Sequence, residues 1–181
     1  MNKNGPRYAA YLRILGEELV PAMGCTEPIS ISFCAAKARD VLGVLPEAVS
    51  VAASGNIIKN VKSVVVPNTG GRKGIETAAA VGVVAGDPTR ELEVIASVTL
   101  EQREALGRYL ETVPIRVRPA DSDLVLDVTV TVEAGGHAAS VRVANQHTNI
   151  VLIAKDGETL FELLPWAAAP PPPPPLTGPS W

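Results

Sequence analysis

The chain has 181 residues, a formal net charge of −3 and 46% apolar residues, with aromatics at only 4%. That balance excludes the basic footprint of a nucleic-acid-binding domain, and two cysteines are too few for a disulfide scaffold, so a reducing cytoplasm is the expected compartment. Mean hydropathy is +0.19, yet no apolar run reaches the roughly 18 residues that span a bilayer, and Glu17 and Glu18 do not suit a secretory signal.

Tyr8, Tyr11, Leu12, Leu15 and Leu19 recur at steps of three and four, which predicts a helix over 7–20. Pro21, Gly24 and Pro28 then break the chain, and Cys25 falls on the turn. A second helix is predicted over 28–42, with Pro28 at its first position and Thr26 or Glu27 as its cap. A thiol at a helix mouth meets the positive end of the dipole, which favours the thiolate, the form that attacks electrophiles and ligates metals. The alternative is a packed thiol acting as a small hydrophobe. Cys34, inside the second helix among small apolar neighbours, reads as packed and inert. Gly43 and Pro46 stop this helix.

Residues 48–54 read as a strand. Gly55 and Asn56 open a short polar stretch, and Val61 to Val66 suits a buried strand. Pro67-Asn68-Thr69-Gly70-Gly71-Arg72-Lys73-Gly74 follows as a polar, glycine-rich loop. Ile75 to Ala85 is then a helix of small side chains suited to close packing. A strand, a glycine loop and a helix in series offer backbone N–H groups to an anion. The loop therefore reads either as a carboxylate or phosphate cradle, supported by Arg72 or Lys73, or as a tight solvent turn. It lacks the spacing of a Walker motif. Asn56, Lys59 and Asn60 can line a polar pocket with Asn68, or form a solvated loop. Lys59 is a candidate general base if desolvated.

From residue 91 the texture changes. Leu92 to Val98 predicts a strand, and Glu101 to Thr112 an amphipathic helix with Leu106 and Leu110 inward. Ile115 to Val117, Leu124 to Val132, His137 to Val143 and His147 to Ala154 alternate between turns, which predicts an antiparallel meander with one wet face. His147, with Thr148 and Asn149 at a strand mouth, suits binding or proton transfer; local turn chemistry is the alternative. His137 reads as incidental, and no His and Cys spacing matches a zinc site. The expected fold class is α+β. A helical segment with a buried small-residue helix covers 1–90, and a small strand–helix–antiparallel-strands domain covers 91–162. A disordered proline-rich tail covers 163–181, where Pro170 to Pro175 favour polyproline II. The tail reads as a frameshifted or truncated end, or as a ligand for a proline-binding module.

Three blocks in series carry a resemblance. They are Glu18 to Ile29, centred on Gly24-Cys25-Thr26-Glu27-Pro28; Lys59-Asn60-Val61 with Val66 to Gly71 and Gly74; and His147-Thr148-Asn149-Ile150-Val151. Over about residues 8–162 the chain resembles the L-cysteine desulfidase family, whose fold is related to the α-subunit of iron–sulfur L-serine dehydratase. The resemblance implies a [4Fe-4S] cluster held by cysteine thiolates, with one iron open to substrate as a Lewis acid. It implies a lyase that converts L-cysteine to pyruvate, ammonia and sulfide. On that basis Cys25 is the metal ligand. Asn60, Asn68, Thr69, Gly70 and Gly71 bind substrate, and His147, Asn149 and Lys59 are the catalytic candidates.

Members of that family carry their other ligands in a C-terminal half that is missing here. The implied reading is an N-terminal fragment that alone holds no cluster and has no activity. It would pair with a separately encoded C-terminal half or form a homo-oligomer. The expected partner is a small amino acid, L-cysteine or L-serine, and neither nucleic acid nor membrane. The rivals are an L-serine dehydratase-like deaminase, a non-catalytic amino-acid-binding module, and a pyridoxal phosphate enzyme with Lys59 or Lys73 as its Schiff-base lysine.

Overall fold

In the computed structural model, which describes residues 24–163, helix α1 (Thr26–Leu42) starts directly after Cys25. The helix expected over 7–20 and the proline tail lie outside the described residues. Cys25 itself is the N-cap, in an extended conformation (φ −64°, ψ 123°), and Thr26 and Glu27 belong to the first turn. Pro28 thus sits third rather than first. That position is tolerated because N–H groups of the first turn have no intrahelical partner to lose. The helix ends as expected at Gly43, whose φ of 90° is left-handed and whose N–H donates to the Arg39 carbonyl at 2.8 Å.

Six strands form one sheet in the order β2-β1-β3-β4-β5-β6. They are β1 (Ala48–Ala53), β2 (Ile115–Pro119), β3 (Asp127–Ala134), β4 (His137–Ala144), β5 (Ile150–Lys155) and β6 (Glu158–Glu162). β1 runs parallel to β2 and antiparallel to β3, and β3 to β6 form an antiparallel meander. With its helices the fold is α+β, the expected class. The alternation predicted for β3 is real: Val128, Val130 and Val132 are fully buried, while Thr129, Thr131 and Glu133 are not.

Two expected strands are absent. Val61 closes a short helix, α2 (Gly55–Val61), in which Ile57 and Val61, one turn apart on the same face, are both buried. After it only a single bridge joins Val65 to Lys73. Leu92 to Val98 is likewise no strand. It begins inside a 3₁₀ helix (Pro88–Glu93), which Asp87 caps by accepting from the Thr89 N–H at 3.0 Å, and continues as turns. Leu92, Val94, Ile95 and Val98 are buried without any ladder. Apolar runs report burial, and burial here is met by turns.

Helix α3 (Gly74–Ala85) is the expected small-residue helix, and it packs on α1. A Cβ on Gly82 would collide with the Ser32 carbonyl oxygen, and one on Gly86 would lie 2.7 Å from the Ala36 Cβ. The Ser32 hydroxyl donates across this contact to the Ala78 carbonyl at 2.7 Å. Helix α4 (Leu100–Thr112) opens with a capping box between Thr99 and Gln102. The core is one cluster that includes Ile31 of α1, Val81 of α3, Leu106 of α4, Val51 of β1 and Val130 of β3. The expected division near residue 90 therefore falls within a continuous core, since β1 lies in the sheet between β2 and β3.

Candidate functional site

Gly24 precedes Cys25 with a left-handed φ of 112°, and the ring of Pro67 lies 3.7 Å from where a Cβ on Gly24 would stand. The start of the glycine loop thus abuts the cysteine turn. The Cys25 side chain is exposed, and its Sγ–H donates to Oε2 of Glu27 at 3.0 Å. This corrects the expectation of a dipole-activated thiolate. Desolvation first, and the hydrogen bond to the Glu27 carboxylate second, raise the thiol above its ordinary pKa. The backbone N–H at the helix mouth opposes the rise without overcoming it. Glu27 is held below its ordinary range chiefly by the thiol, with help from the charge of His147 and the amide of Asn60.

His147 reaches this group from the loop between β4 and β5. Ser30 of α1 donates to the His147 carbonyl at 2.8 Å and ties that loop to the helix. The ring is half-buried. Burial lowers its pKa, and the Glu27 carboxylate partly offsets the effect. Glu27 and His147 share a cavity of about 450 Å³ with Asn56 of α2 and with Asp123 and Leu124 of the segment before β3. Cys25, Asn60 and His147, which lie in three distant stretches of sequence, are therefore gathered around one carboxylate.

The other candidates stand elsewhere. The side chain of Asn68 (φ 60°) donates to the Ile95 carbonyl at 2.9 Å. Thr69 is fully buried, and its hydroxyl donates to the Val66 carbonyl at 2.8 Å. Arg72 donates to the Thr69 carbonyl at 2.9 Å. Asn68 and Thr69 thus hold the loop to itself and to the segment ahead of α4. Gly70 and Gly71 form its exposed tip, with φ of 74° and 85°. Asn149 donates to the Ala144 carbonyl at 2.9 Å and closes its own loop. Lys59 is exposed on α2, outside the cavity lining.

Cys34 is fully buried, donates to the Val141 carbonyl at 3.1 Å, and has its pKa pushed up to about 12 by burial. It is packed and inert, as expected. Among the described residues no group of three or more His, Cys, Asp or Glu side chains can hold a metal ion. Cys25 is the one cluster ligand that the resemblance places in this chain, and a single thiolate does not fit a [4Fe-4S] cluster, which needs about four such ligands or their equivalent. Asn56 lines the cavity as the polar-pocket reading expected, whereas Glu27 and Asp123 were not among the sequence candidates. Glu27 read only as a helix cap, and Asp123 belongs to no motif. Among the described residues no helix is long and apolar enough to cross a membrane.

No protein-family model matches the chain. It is 50% identical over 161 residues to a UPF0597 protein of Desulfitobacterium hafniense, which covers 89% of this chain and 37% of that protein. It is 42% identical over 162 residues to a UPF0597 protein of Treponema denticola, covering 90% of this chain and 38% of the relative. A UPF0597 protein of Lachnoclostridium phytofermentans is 45% identical over 155 residues, 86% of this chain and 37% of the relative. The chain spans little more than a third of these relatives. The similarity corrects the resemblance drawn from the three sequence blocks: the relatives are UPF0597 proteins, and none of these names describes a cysteine desulfidase.

Proposed function

We propose that the Cys25–Glu27–His147 group is the N-terminal share of an amino-acid lyase site. The reaction is removal of a thiol or hydroxyl group from the β-carbon of a small amino acid, with L-cysteine giving pyruvate, ammonia and sulfide, or L-serine giving pyruvate, ammonia and water. The observation that supports this reading is the convergence on Glu27 of Cys25 and His147, which lie 122 positions apart in sequence, beside a cavity of about 450 Å³. An imidazole kept neutral by burial accepts a proton, and a thiol held by a carboxylate supplies one; elimination needs both kinds of group. Because the described residues do not fit an iron–sulfur cluster, no step is assigned to one. The remaining groups belong to the two thirds of the longer relatives that this chain does not span.

The test compares this chain with the full-length UPF0597 protein of Desulfitobacterium hafniense. Sulfide release from L-cysteine and pyruvate formation from L-serine are measured for both. The full-length protein is expected to turn over one of these substrates, and to lose at least about a hundredfold in rate when the residue aligned with His147 becomes Ala. Absence of turnover of both substrates by the full-length protein overturns the reading. The chain alone is expected to be inactive.

A second reading, a non-catalytic amino-acid-binding module, draws on the cavity of about 450 Å³ that Glu27, Asn56 and His147 line. Binding of L-serine to the full-length relative without turnover would favour it.

A further inference from the structure

A serine inside a helix ordinarily turns its hydroxyl back to the carbonyl four residues earlier. Ser32 does so, donating to the Pro28 carbonyl at 3.1 Å as well as to that of Ala78. Ser30, equally buried, donates instead to the carbonyl of His147, 117 positions away, at 2.8 Å. A buried hydroxyl costs free energy unless it is bonded, so the partner it takes shows what it holds.

The segment it holds closes on itself at both ends. The Ala144 N–H donates to the Asn149 carbonyl at 3.1 Å, and the Asn145 N–H to the Leu126 carbonyl at 3.0 Å. These bonds fix the ends of the loop between β4 and β5, and His147 lies at its middle. On α1, Glu27 and Ser30 are three residues apart, a spacing that puts both side chains on one face about one turn apart. One helix face therefore meets His147 twice. The Ser30 hydroxyl bonds its backbone, and the Glu27 carboxylate acts on its ring in the shared cavity.

We propose that Ser30 is a positioning residue: its hydroxyl holds the His147 backbone to α1 and so keeps the imidazole in the cavity beside the Glu27 carboxylate. The inference rests on the lyase reading only for the use made of the ring, as a proton acceptor. The positioning is a property of this chain and is tested without turnover.

A ring released from the cavity regains water. Burial is the larger influence on the ring and lowers its pKa, while Glu27 opposes it. The charged groups that line the cavity with the ring are Glu27 of α1 and Asp123 of the segment before β3; α2 contributes only Asn56 and Ile57. Release is therefore expected to move the value up toward 6.5. The chain has two histidines, and His137, exposed and paired with Asp156 at 2.9 Å, serves as internal control.

Proton NMR of the ring protons of the 181-residue chain, followed from pH 8 to pH 5 and assigned with His137→Asn, reads both values. Ser30→Ala, at a position where alanine favours the helix, is expected to raise the His147 value and leave that of His137 in place. Ser32→Ala removes a buried hydroxyl from the same helix and is expected to move neither. Ser30→Thr keeps the donor and is expected to retain the parent value. The far-UV spectrum of each variant checks the fold.

An unchanged His147 value in Ser30→Ala, an equal rise in Ser32→Ala, or a raised value in folded Ser30→Thr would each overturn the positioning role. If His147 responds as described while the full-length relative turns over neither amino acid, the lyase reading fails and the role of Ser30 stands. If turnover is found and the His147 value does not move in Ser30→Ala, the positioning role fails alone.

Discussion

The thiol of Cys25 donates to the carboxylate of Glu27 across 3.0 Å, from the N-cap of α1 into its first turn. A helix mouth is where a thiol is ordinarily activated. Here the same turn carries a carboxylate that accepts the proton's hydrogen bond and favours the protonated form. Desolvation comes first and the Glu27 carboxylate second in raising the thiol, and the backbone N–H at the helix mouth does not overcome them.

Glu27→Gln removes the negative charge that holds this proton while keeping the backbone N–H that favours the thiolate. The Cys25 pKa is expected to fall, and alkylation by iodoacetamide at pH 8 to accelerate relative to the parent chain. Slower alkylation in the variant would contradict the assigned role of Glu27. Cys34 is expected to remain unmodified in both proteins until the fold is opened with denaturant, since it is fully buried.

The pH dependence of stability carries the signature of His147. Its pKa is lowered in the fold, chiefly by burial, so the folded state binds the proton less readily than the unfolded state does. The stability it contributes is present above the unfolded value near 6.5 and is lost as pH falls toward the lower folded value. Urea midpoints are expected to drop between pH 7 and pH 5, and His147→Asn to flatten that part of the profile. An equal slope in the variant would show that other groups govern it.

Gly82→Ala tests the contact of α1 with α3. The added methyl group meets the Ser32 carbonyl oxygen, which belongs to helix backbone and gives way only by separating two packed helices. A cost of about 2–3 kcal/mol is expected, read as a lower thermal midpoint. A midpoint unchanged within error would mean the helices do not pack at this closeness.

Arg142 grips Asp127 across β3 and β4 through two hydrogen bonds of 2.9 and 2.6 Å. The Asp127 side chain is 2% exposed and that of Arg142 31%. Arg142→Ala leaves a buried carboxylate without its partner. The expected loss is about 2–3 kcal/mol in urea unfolding, below the range for fully buried pairs because water reaches the vacated side. Restoring an apolar match with Arg142→Met and Asp127→Leu together is expected to recover part of it.

Much of this was legible in the residues. Helices α1, α3 and α4 and strands β3 to β5 follow from periodicity and from stops such as Gly43 and the pair Gly135-Gly136, which are local signals; β6 was not anticipated, and Ile115 to Val117, expected to open the meander, instead pairs in parallel with β1. The two misread strands share one cause. Val61 to Val66 and Leu92 to Val98 are apolar enough to be buried, and burial alone does not say whether a ladder partner exists. For the candidate site, Cys25 and His147 were legible as unusual residues at element ends. Their joint dependence on Glu27 was not, because Glu27 carries the ordinary look of a first-turn acid. Asn68, Thr69 and Asn149 show the converse: polar side chains that read as ligand contacts serve the backbone carbonyls of their own loops.

By itself the amino-acid sequence determined the α+β class, the turn that exposes Cys25, the inertness of Cys34 and the small-residue helix, since each depends on neighbours within a few positions. Only the tertiary structure decided that β1 enters the sheet between β2 and β3, and that Glu27, Asp123 and His147 face one cavity. Those outcomes depend on burial and on charges brought together from distant positions, and neither is encoded in spacing along the chain.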